Sequence, residues 1–484
     1  MALDAPDEPL VAPQETEQQI DPRPTELRKD RLAIQQMTGG NLLLKNGTII
    51  TGTGEVLTDA SIKIEEGKIS AIGSDLPETE GTTVIDLGGK FAMPGIIDTH
   101  SHIMITGGVN ESTQSIVPEV RIRDVVNADD DSEYRALAGG VTSARLLHGS
   151  ANVIGGQDAV VKLKYGSSAR EHILHDAPQG VKFALGENVK ARTERFPNTR
   201  LGVEATLQRA FLEAVEYRRG WIAFEQQKKE SENDQLLLSP RRDFRLEALA
   251  DIVNHEKFIH SHCYRADEIL MLLRVASDMG IRVWSLQHVL EGYKIAPEIV
   301  AHGASCSTFA DWWAYKVEAY DAIPHNAAFL QEAGANSVIK SDDAELIRHL
   351  YLEAAKSVRY GNMPEAGAIQ AITRNSAREL GLNERMGTLE VGKDGDVAIF
   401  SGHPLHAFSR CEMTIIEGNI YFDRSKAPTA MSAKAAARNP LPETWTVPTR
   451  ESRPQKLDLE PLRQGTYALI NAHLHPVGGA HIPQ

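Results

Sequence analysis

Phe91-Ala-Met-Pro-Gly-Ile-Ile-Asp-Thr-His100-Ser-His102 is an apolar run, rich in isoleucine, that ends in two histidines. A run of this length and composition reads as a strand covered on both faces. Side chains two apart on a strand share a face, so His100 and His102 project together from its end. Neutral imidazole is a good ligand for zinc and related divalent ions, which makes the pair a candidate metal grip. A lone His-x-His is also a common polar strand end. Its weight comes from what the rest of the chain sets beside it.

Seven further strand-like runs follow, at 141–148, 159–163, 180–187, 257–262, 283–288, 304–308 and 337–342. Helical stretches at 203–229, 266–279 and 344–358 follow the fourth, fifth and eighth runs. Strands alternating with helices argue for a parallel sheet, and eight of them for a closed (β/α)8 TIM barrel of α/β class. Such barrels carry their chemistry at the C-terminal ends of the strands. His100, His102, His260, His262, His288 and Asp342 all stand at the ends of predicted strands.

Before and after this region the pattern is different. Residues 42–51, 60–73 and 83–87 read as short strands, with a hairpin turn at Glu66-Gly67, and 387–422 reads likewise. The expected organisation is a flexible N-terminal arm (1–36), a small β-sandwich domain built from 37–90 plus 387–425, a barrel (91–386) and a C-terminal extension (426–484).

Pro94-Gly-Ile-Ile-Asp-Thr-His-Ser-His102 resembles the opening signature of the amidohydrolase superfamily. Met386-Gly-Thr-Leu-Glu-Val-Gly-Lys-Asp-Gly-Asp-Val-Ala-Ile-Phe400 resembles the same family's return into its small β domain. Together they bracket roughly residues 41–425, and the nearest branch looks imidazolonepropionase-like and prolidase-like. The resemblance implies one or two divalent metal ions, with zinc expected. It implies His100 and His102 as ligands of the more buried ion, His260 as the fifth-strand ligand and His288 as the sixth. Asp342 matches the family's eighth-strand aspartate, a ligand that also takes the proton of the attacking water. A carboxylate beside a divalent cation keeps its charge and can accept that proton.

The bridging ligand is open between two residues. Glu187 is preferred because it stands at the predicted strand end; Lys182, which would have to be carboxylated, is the rival. His262 shares a face with His260 and is read as a substrate contact. Asn152 and Gln157, in the glycine-rich loop after the second strand, are substrate contacts or parts of a structural loop.

The expected activity is hydrolysis of an amide-type carbon–nitrogen bond, peptide-like or cyclic, by metal-activated water. The alternatives are deamination of a ring amine and a non-catalytic partner subunit of a tandem assembly. The chain has 484 residues, 42% of them hydrophobic, enough for a large barrel plus a smaller domain. A net charge of −15 argues against nucleic acid and anionic membrane as partners. Three scattered cysteines and no signal-like N-terminus point to the cytoplasm, although a removed leader would leave no trace. The tail stretch 467–483 resembles the start of the β domain and repeats the His-x-His spacing at His473 and His475. It reads as the opening of a second amidohydrolase-like unit, or as a strand for pairing with another chain or a second copy.

Overall fold

The structure of the protein, a computed structural model, describes residues 36–190, 194–230 and 237–426. The readings made on residues 1–35 and on the extension from residue 427, His473 and His475 included, lie outside the described residues.

The 91–102 run is two strands, β5 (Phe91–Pro94) and β6 (Ile96–Ser101), and they belong to different sheets. Gly95 divides them. A Cβ on Gly95 would lie 2.2 Å from the Thr142 hydroxyl, so only glycine lets the chain pass this close to its neighbour. An apolar run buried from residue 92 to 101 carries no periodic mark of such a break, which is why the sequence reads as one strand.

β5 joins β1 (Leu42–Ile50), β2 (Val56–Glu65), β3 (Lys68–Gly73), β4 (Thr83–Asp86), β15 (Val397–Phe400), β16 (Cys411–Ile416) and β17 (Asn419–Asp423) in one eight-stranded sheet. The order is β17-β16-β15-β5-β1-β2-β3, with β4 alongside β1. Its core takes Leu42, Leu44, Ile62 and Ile64 from one part of the chain and Val397, Ile399 and Ile415 from another. Glu66 (φ 51°) and Gly67 (φ 77°) turn β2 into β3 with the two left-handed residues that a tight hairpin requires.

The TIM-barrel-like part runs through β6, β7 (Val141–Leu146), β8 (Ile154–Gln157), β9 (Ala159–Lys162), β10 (Gly180–Ala184), β11 (Phe258–Cys263), β12 (Val283–His288), β13 (Ser305–Thr308) and β14 (Ser337–Ile339). From β10 to β14 every neighbour is parallel, as expected. The third barrel strand differs. β8 and β9 are one length of chain bent at Asp158, antiparallel to β10 on one side and to β7 on the other. The cause is the connection: residues 147–153 hold no helix and are too few for the crossover of a dozen or more residues that parallel strands need. Past β14, the Asp342 amide donates to His100 O (2.9 Å) and the Ser341 amide to Asp98 Oδ1 (3.1 Å), tying the last strand to β6.

Helix Leu201–Glu230 presents Val203, Leu207, Ala210, Phe211 and Ala214 as one buried stripe. No helix among the described residues is long and apolar enough to cross a membrane. Two buried ion clusters stand out. Lys162 on β9 reaches Asp394 (2.5 Å), Asp396 (2.9 Å) and Glu417 (3.0 Å), fastening the barrel to loops of the eight-stranded sheet. His172 pairs with Glu133 at 2.7 Å, both side chains fully buried. Burial opposes protonation of His172, but the Glu133 carboxylate outweighs it and raises the imidazole above its ordinary value.

Candidate metal centre

His100, on β6, is buried and its ring is clamped. Its Nδ1 lies 2.8 Å from Gln287 Oε1 on β12. The Gln287 amide faces that way because its Nε2 donates to Glu379 Oε1 and to Ser285 Oγ, both at 2.8 Å. An amide oxygen only accepts, so Nδ1 carries the proton and Nε2 presents a lone pair. His102 is held alike, with Nδ1 2.8 Å from Leu147 O. Both free Nε2 atoms face one oxygen, Asp342 Oδ1, at 3.2 and 3.1 Å. Ligand atoms of these three residues all lie within 4.8 Å of one another. Two imidazoles and a carboxylate gathered in this way are a donor set that fits a metal ion. The outer hydrogen bonds are those that orient metal-binding imidazoles.

The surroundings are cationic and tightly packed. Lys182 Nζ, fully buried on β10, lies 3.1 Å from His100 Nε2, and burial lowers this lysine to about 7. Lys340 Nζ lies 2.6 Å from His288 Nδ1 and 3.4 Å from Asp342 Oδ2; burial lowers it to about 8. Burial would raise Asp342, yet Lys340 and His100 outweigh it and hold the carboxyl well below the carboxylate range. His288 Nδ1 is 3.6 Å from Asp342 Oδ2. His288 (φ 70°) and Asp342 (φ 58°) are both left-handed, a conformation costing about 1–3 kcal/mol that concentrates at functional sites. At His288 it breaks the alternation of the strand, so that both Gln287 and His288 reach His100, the latter with ring centroids 5.0 Å apart.

The structure thus brings together His100, His102, His288 and Asp342 among the residues expected from sequence. Of the two fifth-strand histidines, His262 lies nearer this cluster than His260. His262 lies with its ring 4.5 Å from His288, and its buried Nε2 has no hydrogen-bond partner. His260, one layer lower, bonds Ser285 Oγ (2.7 Å) and faces Arg145 (3.2 Å) and Asp158 (3.6 Å). Glu187 is also apart from the cluster. β10 ends at Ala184, and left-handed Gly186 (φ 82°) turns the chain so that Glu187 stands partly exposed, 3.7 Å from Lys316. The preferred strand end was misplaced, and the deeper Lys182 reaches the histidines on its long stem.

Asn152 donates to Glu111 O and Gln114 O, both at 2.6 Å, and so braces a loop. Gln157 pairs with Val181 at the start of β10 and donates to Pro118 O (2.8 Å), placed there by the antiparallel course of β8. Sequence reasoning missed Gln287, Lys340, Glu379 and Arg145. A buried polar residue within a barrel strand was the available signal for Gln287 and Arg145; nothing marked Glu379, which comes from the helix Arg374–Leu380.

A TIM-barrel-like fold with histidines and an aspartate gathered at its strand ends defines a class of metal-site protein, and comparison with known proteins gives the family. The amidohydrolase family model matches residues 91–421, and the chain belongs to that family. It is 27% identical over 425 residues to amidohydrolase tasK of Hapsidospora irregularis, covering 79% of this chain but only 43% of that protein's length. Imidazolonepropionase of Thermoplasma acidophilum is 25% identical over 406 residues, 76% of this chain and 91% of that protein. Among solved structures, an amidohydrolase from Thermotoga maritima superposes with a TM-score of 0.72 at 30% identity, over 79% of this chain and all (100%) of that one.

Proposed function

We propose that this protein is a metal-dependent hydrolase of an amide-type carbon–nitrogen bond. One observation carries the reading: His100 Nε2 and His102 Nε2 converge on one carboxylate oxygen, Asp342 Oδ1, at 3.2 and 3.1 Å. Imidazole with carboxylate is a donor set that suits zinc. In this reading Lys182, which must first be carboxylated by carbon dioxide, His262 and His288 complete the set, in place of Glu187 and His260. The eight strand positions close into one cylinder, with the Asp342–His100 contact as its seam, and the eight-stranded sheet is the small companion domain.

A bound divalent ion supplies polarisation of the scissile carbonyl and an acidified water. The chain does the rest. Burial keeps His100, His262 and His288 neutral. Asp342, held ionised, accepts the water's proton on Oδ2 and returns it to the leaving nitrogen. Lys340 flanks that oxygen at 3.4 Å and fixes its position.

The test is metal analysis of the purified protein followed by a screen of N-acyl amino acids, dipeptides and cyclic amides. The last class is included because one relative is an imidazolonepropionase. Bound metal with amide cleavage supports the reading. Ammonia released from a ring amine with no amide cleaved would make it a deaminase, and a protein that holds no metal and turns over nothing would sink it.

A further inference from the structure

We infer that Gln287 is a positioning residue for the metal centre, and that Glu379 decides which way its amide faces. The inference rests on the reading above, because it needs His100 to be a ligand.

A glutamine amide has two nearly isosteric ends, one accepting and one donating. Facing His100 Nδ1, the two ends have opposite effects. The oxygen forces the proton onto Nδ1 and leaves Nε2 a lone pair. The NH2 would need Nδ1 as acceptor and would drive the proton onto Nε2, where no metal could then bind. Something must therefore select the oxygen. Gln287 Nε2 lies 2.8 Å from Glu379 Oε1, so a turned amide would set oxygen against carboxylate oxygen. Ser285 Oγ supplies a second partner for the same Nε2 at 2.8 Å.

Glu379 is itself fixed. Its Oε2 accepts from Ser307 Oγ (2.5 Å), which bonds Thr99 Oγ1 (2.7 Å) on β6, next to His100. Arg145 donates to the Glu379 backbone carbonyl at 3.2 Å and approaches Oε1 at 3.7 Å. Both Gln287 and Glu379 are fully buried. Burying a carboxylate is expensive, and an apolar side chain would fill the same space more favourably. The expense is accounted for if an acceptor is required at that point. A chain of contacts then runs from a helix beyond the last barrel strand, through Glu379 and Gln287, to the first ligand.

The test compares zinc affinity of apo-protein, by competition with a chromogenic chelator, in the wild type, Q287L, Q287E and Q287E/E379Q. Thermal melts report folding. Q287L removes the acceptor and is expected to weaken zinc about 10–100-fold, the usual cost of losing such an outer hydrogen bond. Q287E sets two carboxylates together and is expected to weaken it as well. The exchanged pair Q287E/E379Q again offers an acceptor to His100 and a donor from position 379, so affinity should return toward the wild-type value. Unchanged affinity in folded Q287L overturns the inference, as does an exchanged pair no better than Q287E. If Q287L fails to fold, the second comparison decides alone. Wild-type protein that binds no zinc would instead overturn the metal-hydrolase reading itself.

Discussion

Lys182 Nζ lies 3.1 Å from His100 Nε2, although 82 residues separate the two in sequence. Glu187, five residues further along, has Lys316 as its ion-pair partner. K182A should therefore lower bound metal at least about tenfold, measured by inductively coupled plasma mass spectrometry. E187A should leave metal content intact and change stability by no more than about 0.5 kcal/mol. The opposite pattern would return the bridging role to Glu187.

In the proposed mechanism Asp342 moves the proton. D342N keeps the size of the side chain but removes the base, so turnover should fall by about 10²–10⁴-fold while the protein retains metal. Steady-state kinetics on whichever amide the screen finds, paired with metal analysis, checks both halves. Full activity in D342N would remove the assignment.

Lys162 is surrounded by three carboxylates and has no exposed side-chain surface. K162M leaves Asp394, Asp396 and Glu417 facing one another without their central cation. Removing one partner from a buried ionic cluster costs about 3–5 kcal/mol. Urea unfolding should show this as a lower midpoint with little change in slope.

The His172–Glu133 pair makes stability depend on pH. The folded imidazole is raised above its ordinary value of 6.5, so its contribution is complete below 6.5 and fades as pH rises through the folded value. The stability gap between wild type and H172Q should be widest near pH 6 and shrink on the alkaline side. Urea titrations at several pH values measure it, and the difference between variants cancels any shared effect of metal. A gap that widened as pH rose would contradict the pairing.

Much of this was legible in the sequence for a physical reason. The period-two arrangement of His100 and His102 is present in the structure, and His288 and Asp342, expected at strand ends far apart in the chain, lie beside them. What failed were judgements of depth. His260 and His262 share a face, and only the register of β10 against β11 shows that His260 is opposite Lys182 and His262 opposite Ala184, nearer the rim. Glu187 looked terminal because 180–187 is apolar almost to its end, while the glycine that turns it away is an ordinary loop residue in sequence. Glu379 was illegible: it is one charge on a short amphipathic helix, and its burial is decided by Gln287, Ser307 and Arg145, which come from three other strands.

The reversed third strand has a practical consequence for engineering around the proposed site. Around most of the rim, variation is introduced where a strand finishes. At this one position the chain arrives at the mouth before the strand begins, so residues 147–153, with His148 pinned to the Glu111 amide at 2.9 Å, are what a library must target. Substitutions placed after Lys162 by analogy with the other strands would fall at the opposite end of this strand from the histidine cluster.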